Sequence, residues 1–231
     1  MDRVLITGSN RGIGLEFTRQ YLESGWRVYA TCRRPAEAQS LHTLAKIHDG
    51  LSIHRLDITL QEDLSNIAQE LYSIPLNLLI NNAGVYFKKT SSTIDCIHYD
   101  SWRRTLEVNT LGPVRVTEAL LENIEKSSSK RLVVVISSHM GSIADIDEPE
   151  SLYYRSSKAA LNAAMQGVTV ALQKDKIGVL LLHPGGVLTR MGPKDGISAR
   201  ESVAGMRQII DDFSMEDSGL FLQYDGEDLP W

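Results

Sequence analysis

The ten residues Leu5–Gly14 read LITGSNRGIG, and the rest of the chain is read outward from them. Leu5–Thr7 closes a short apolar run that begins at Arg3, and Gly8, Gly12 and Gly14 follow before a helical pattern sets in. Glycine at such a place lets the backbone turn tightly and approach a pyrophosphate. The first turn of the helix then offers free N–H groups and the positive end of its dipole. Asn10, Arg11 and Ile13 complete the turn. The spacing is G-x-x-x-G-x-G, not the commoner G-x-G-x-x-G, so the stretch alone also reads as a plain strand-to-helix loop. Its place directly after the first strand favours a nucleotide.

Beyond that turn, apolar runs alternate with helical patterns. Strands are predicted at Arg3–Thr7, Arg27–Thr31, Leu51–His54, Leu76–Ile80, Leu132–Ile136 and Gly178–Leu182, with a weak last one at Leu220–Gln223. Helices are predicted at Gly12–Ser24, Ala36–His48, Gln61–Tyr72, Tyr99–Lys126, Tyr153–Gln173 and Ser198–Asp212. Several strands are continuous apolar runs, "LVVVI" at Leu132–Ile136 above all. Such runs suit a parallel sheet covered on both faces, and the alternation implies right-handed crossovers. The expected fold is α/β: one doubly wound parallel sheet of about seven strands with helices on both faces. No repeat or linker interrupts it, so residues 1–231 read as one domain with a short substrate loop in the region of residues 186–212.

Composition narrows the function classes. With 24 Lys and Arg against 29 Asp and Glu, the net charge of −5 argues against nucleic-acid binding through bulk positive charge. No apolar run approaches the roughly 20 residues of a membrane span. The first strand begins at Arg3, which leaves no room for a signal peptide. Cys32 and Cys96 make neither a disulfide framework nor a metal spacing, and the histidines form none either. The expectation is a cytoplasmic protein with no metal, nucleic-acid partner or membrane anchor.

The end of the second strand speaks to the choice of nucleotide. An Asp or Glu there usually holds the ribose hydroxyls of NAD. This chain has Cys32 at that place, followed by Arg33 and Arg34. A carboxylate would repel a 2′-phosphate, whereas a guanidinium pairs with it through charge-assisted hydrogen bonds. Arg11 offers a second cation. The arginines also read as a solvated turn, but the missing acid and the added base agree, and NADP(H) is favoured over NAD(H).

Farther on, "YYRSSK" sets Tyr154 and Lys158 four apart on a helix, and so on one face. An ammonium beside a phenol favours the phenolate and lowers its pKa toward a range useful for proton transfer. Such a pair also occurs by chance on exposed helices. Its neighbours give it weight: "TGSNRGIG", "LDI" with Asp57, "NNAG" at Asn81–Gly84, Asn109 in "VNT", "ISS" ending at Ser138, "YRSSK", and "HPGGVLT" at His183–Thr189. In this order they resemble the classical short-chain dehydrogenase/reductase family across essentially the whole chain. The "TCR" after the second strand and the "YDG" and final Trp231 resemble its C-factor-like and sniffer-type carbonyl reductase subgroup.

The resemblance implies a Rossmann-like fold and roles at matching positions. Tyr154 would give a proton to a carbonyl oxygen as hydride arrives from the nicotinamide. Lys158 would lower the tyrosine pKa and hold the ribose, Ser138 would hydrogen-bond the substrate oxygen, and Asn109 would bend its helix and hold a water. Ser137 stays an alternative to Ser138. Asn82, Ala83 and Gly84, with Asn81, would line the cofactor. Asp57, with Ile58 beside it, would meet the adenine, and Pro184, Gly185, Val187 and Thr189 the carboxamide. The implied activity is NADP(H)-dependent reduction of a small carbonyl compound. The alternative is C-factor-like cell–cell signalling. A homodimer through the fourth and fifth helices is expected.

Two departures bear on the substrate. The acidic stretch Asp145–Glu150 lengthens the spacing from Ser138 to Tyr154, as solvated surface or as a charge that disfavours anionic substrates. Gly186 stands where the related proteins usually have tryptophan, which opens that wall. His139, directly after Ser138, is the histidine expected nearest the pocket, and Cys32 is expected to be a packed residue rather than a redox thiol.

Overall fold

A computed structural model describes residues 1–87, 97–147 and 151–231. Its seven strands are β1 (Arg3–Thr7), β2 (Arg27–Cys32), β3 (Leu51–Arg55), β4 (Leu78–Asn81), β5 (Leu132–Ile136), β6 (Gly178–His183) and β7 (Phe221–Gln223). All pair in parallel, in the order β3-β2-β1-β4-β5-β6-β7. The order reverses at β1, and the carboxyl ends of β1 and β4 open a crevice there. The helices are α1 (Gly12–Glu23), α2 (Gln39–Ala45), α3 (Gln61–Glu70), α4 (Tyr99–Leu106), α5 (Gly112–Ala119), α6 (Leu121–Glu125), α7 (Leu152–Leu172) and α8 (Ala199–Asp212).

The continuous apolar strands are explained by two separate cores. Val4, Ile6, Leu78, Ile80, Leu132, Val134, Leu180 and Leu182 pack under α1, α2 and α8 with Phe17, Tyr21, Leu41 and Met206. The alternate residues Leu5, Leu79, Val133, Val135, Val179 and Leu181 pack under α3, α5, α6 and α7 with Leu64, Val116, Ile124 and Leu161. These strand side chains are apolar on both faces because each face meets a helix layer. Full burial of a Val, Leu or Ile side chain contributes about 1.5–3 kcal/mol, so the sheet is the rigid frame on which the site is mounted.

Three expectations on the elements are corrected. The helix expected over Tyr99–Lys126 is broken by a π-turn at Glu107–Leu111 and again at Leu120, which separates α5 from α6. Asn109 lies in the π-turn with its side chain bonded to another segment, and Pro113 brings no N–H to the ladder. Ala36–His48 keeps only α2 as α-helix, after a 3₁₀ turn at Pro35–Glu37. The region expected as a substrate loop to residue 212 is helical from Ala199, and a bridge between Val187 and Ile197 closes the non-helical part before it. Among the described residues no helix is long and apolar enough to cross a membrane.

Candidate active site

The turn after β1 is made by backbone. Gly8 and Gly12 have φ of +68° and +54°, a region where a side chain is strained. A Cβ on Gly14 would collide with the Gly8 carbonyl oxygen, so glycine lets α1 start close against the turn. Arg11 precedes α1 without capping it, and no acid stands in the first helical turn. The leading N–H groups and the positive dipole end therefore suit an anion. Asn10 and Arg11 are exposed beside this cradle, whereas Ile13 packs partly on the core.

β4 is tied to that turn by Thr7, which the sequence reading missed. Its hydroxyl accepts the N–H groups of Asn82 and Ala83, each at 3.0 Å. Asn82 Nδ2 returns bonds to the carbonyls of Thr7 at 2.8 Å and Gly8 at 3.2 Å. Asn81 turns away and bonds Thr117. Gly84 lies against Asn109, whose Oδ1 would be 3.3 Å from a Cβ there. On the far side, a Cβ on Gly12 would touch the Thr189 methyl at 3.5 Å, so the loop from Pro184 through Gly185 and Val187 to Thr189 reaches the same turn.

At the β2 end, Arg34 pairs with Glu37 at 3.3 Å, while Arg33 is exposed and forms no ion pair among the described residues. Arg33 acts on Asp57 instead. Burial alone would push the Asp57 carboxyl up. The Thr59 hydroxyl and N–H that it accepts, with the charges of Arg104 and Arg33, pull it below the usual range. Ile58 sends its side chain into the core against Gly112. Cys32 is 4% exposed and burial pushes its thiol up, as expected of a packed residue.

The ends of β5 and α7 bring Ser138, Tyr154 and Lys158 together. Lys158 Nζ donates to the Ile136 carbonyl at 2.7 Å and lies 5.6 Å from the Tyr154 ring centroid. Burial pushes the lysine down to about 8. Tyr154 does not follow the expected direction: desolvation pushes its phenol up to about 12, against the pull of a hydrogen bond from Ser138. The resident form at neutral pH is thus the protonated phenol. Ser137 is not the partner, since its hydroxyl is spent on Asn162 at 2.6 Å. Tyr153 is 4% exposed, accepts the His98 N–H at 2.6 Å and stacks on Trp102, so it is a packing residue.

Asn109 is buried rather than exposed on its helix. Its Oδ1 accepts the Val85 N–H at 2.8 Å, and its Nδ2 donates to the Val85 carbonyl at 2.9 Å and to Ser157 Oγ at 3.0 Å. His139 meets His183, nitrogen to nitrogen, at 3.2 Å. Burial pushes His183 down to about 3, helped by His139 and Lys158. His183 was missed as a neighbour of the site because only the pairing of β5 with β6 brings it there. Among the described residues no three His, Cys, Asp or Glu side chains cluster as metal ligands. Cys96 and Glu148–Glu150 lie outside the described residues.

Comparison with known proteins agrees with this geometry. The family model for short chain dehydrogenases matches residues 2–198. The C-signal protein of Myxococcus xanthus is 39% identical over 158 residues, covering 68% of this chain and 93% of that protein. The NADPH-bound carbonyl reductase from chicken fatty liver superposes with a TM-score of 0.92 at 35% identity, over 100% of this chain and 99% of that one. The carbonyl reductase Sniffer of D. melanogaster superposes with a TM-score of 0.93 at 30% identity, over 100% of both. A glycine cradle at the crevice of a seven-stranded parallel sheet, a buried lysine beside a protonated tyrosine, and a match over most of the length lead to one conclusion: the chain belongs to the short-chain dehydrogenase family, a family of oxidoreductases.

Proposed function

We propose that residues 1–231, as one domain, form an NADP(H)-dependent carbonyl reductase in which Tyr154 is the proton donor. The observation that carries this reading is the enclosure of a protonated Tyr154 phenol between Ser138 and Lys158, beside the crevice that the glycine turn opens. When bound, NADPH supplies the hydride. The glycine turn and the first turn of α1 would hold its pyrophosphate, Arg33 its 2′-phosphate, and Asp57 its adenine.

The chain's own part is electrostatic and protonic. As negative charge grows on the carbonyl oxygen, Ser138 Oγ donates a hydrogen bond to it and Tyr154 Oη gives up its proton. The Lys158 ammonium stabilises the phenolate left behind, an attraction that gains in strength because the lysine is buried. Asn109 acts one step back, fixing Val85 and Ser157 around the tyrosine. General acid catalysis of this kind contributes about 10²–10⁴-fold.

That one relative is a C-signal protein supports a second reading, in which the fold serves cell–cell signalling. The juxtaposition of Ser138, Tyr154 and Lys158, which a pure sensor has no need of, weighs for the enzyme. Pairing of two copies through the helices around α5 and α7 belongs to the proposal, with the exposed Leu111 and Val170 on the paired face. The deciding experiment measures NADPH oxidation with a panel of small aldehydes and dicarbonyls. Tyr154→Phe should lose at least about 10²-fold in rate while NADPH affinity stays unchanged. A variant of full activity would overturn the mechanism.

A further inference from the structure

Tyr86 has no part in the mechanism above, yet it is the aromatic neighbour of the residue that does the chemistry. Its ring stands edge-on to that of Tyr154, with centroids 5.1 Å apart and planes at 88°. Its hydroxyl is paired with Ser151 Oγ at 2.8 Å. Ser151 is the residue before α7 and has φ +59°, and its side chain caps none of the helix N–H groups. On the chain side, Val85 is gripped through its N–H and carbonyl by Asn109. The Tyr86 ring is therefore fixed twice, through its neighbour's backbone and through its own hydroxyl. Both tyrosines keep part of their surface exposed.

We propose that Tyr86 is a specificity-determining residue, a fixed aromatic wall that favours flat carbonyl compounds over those branched at the carbon next to the carbonyl. This rests on the carbonyl-reductase reading. A compound hydrogen-bonded to the Tyr154 hydroxyl has the Tyr86 ring beside it. A planar group packs against an aromatic ring in stacked or edge geometry. A branched group demands that the ring move, and the two ties oppose that movement. Misfit of a methylene or more in such a pocket is worth about 10–200-fold in discrimination.

The test is the ratio of kcat/KM for benzaldehyde to that for pivaldehyde, measured with NADPH. In Tyr86→Ala the ratio should fall by at least about 10-fold. Tyr86→Leu, which keeps bulk for folding, should lower it in the same direction. Tyr86→Phe and Ser151→Ala remove the same hydrogen bond, so each should lower the ratio in part and the double variant no further than either alone. An active wild type with ratios unchanged in Tyr86→Ala and Tyr86→Leu, or with Tyr86→Phe and Ser151→Ala effects that multiply, overturns the wall alone. A wild type inert toward both aldehydes and the wider panel overturns the reductase reading and the wall with it.

Discussion

Asn109 and Val85 form a two-way bridge: the side-chain amide of one satisfies both backbone groups of the other, at 2.8 and 2.9 Å. The bridge joins the π-turn to the loop after β4, two segments 24 residues apart in the chain. Each buried group left unpaired by its loss costs about 1–3 kcal/mol. Asn109→Ala should therefore lower stability by at least that much in urea unfolding, and carbonyl reduction by about 10-fold or more. Wild-type midpoint and rate together would show the bridge to be idle.

The pH profile of reduction should be set by Lys158. The Tyr154 phenol, pushed up to about 12, stays protonated across the working range, whereas the lysine, pushed down to about 8, does not stay charged. Reductive kcat/KM should be level below pH 8 and fall above it as the ammonium is lost. Lys158→Arg, which keeps its charge, should carry the level region past pH 10 at a lower plateau. A wild type with no decline up to pH 9.5 would contradict this assignment.

Cofactor choice should separate two adjacent arginines. Arg33 has no ion-pair partner among the described residues, while Arg34 is engaged with Glu37. Charge-assisted hydrogen bonds contribute about 1.5–3 kcal/mol. Arg33→Ala should then weaken NADPH binding by about 10–100-fold and leave NADH binding within about twofold, with Arg34→Ala milder. Titration calorimetry on both variants decides it, and equal losses for the two cofactors would remove the phosphate from Arg33.

Acid stability should depend on His183. Its folded pKa of about 3 lies below the ordinary value of 6.5, because burial disfavours the charged ring. The unfolded chain binds the proton first, so stability is complete above pH 6.5 and drains away as pH falls toward 3. Between pH 7 and pH 5 the loss is ~2 kcal/mol. His183→Gln should remove most of that difference in denaturant melts at the two pH values. An undiminished difference would place the acid sensitivity elsewhere.

Much of the fold was legible because the central strands of the sheet are buried on both faces and so spell out apolar runs. Arg3–Thr7 and Leu132–Ile136 were placed to the residue for this reason. The interruptions of the fourth helix were not legible. They arise where Asn109 bonds Val85, a contact set by the loop after β4 and not by local propensity. Within the site, the motif residues were findable as spacings, and the structure gathers Ser138, Tyr154 and Lys158 as expected. Thr7 and His183 stand within those motifs, but their contacts, like those of Tyr86, were not legible, because a strand-end hydroxyl, a loop tyrosine and a histidine before proline acquire meaning only from neighbours distant in the chain. The direction of the Tyr154 pKa was also misjudged, since burial has no sequence spacing.

One face of α7 reaches three consecutive residues at the end of β5: Lys158 bonds Ile136, Asn162 bonds Ser137, and Tyr154 meets Ser138. The helix is thereby phase-locked to the strand. Each residue of an α-helix advances the side chains by about 100°. A single insertion or deletion between Tyr154 and Asn162 would swing one end of this set out of phase with the other. Engineering on this scaffold is therefore bound to keep the length of α7 between those two residues, which admits no change of one.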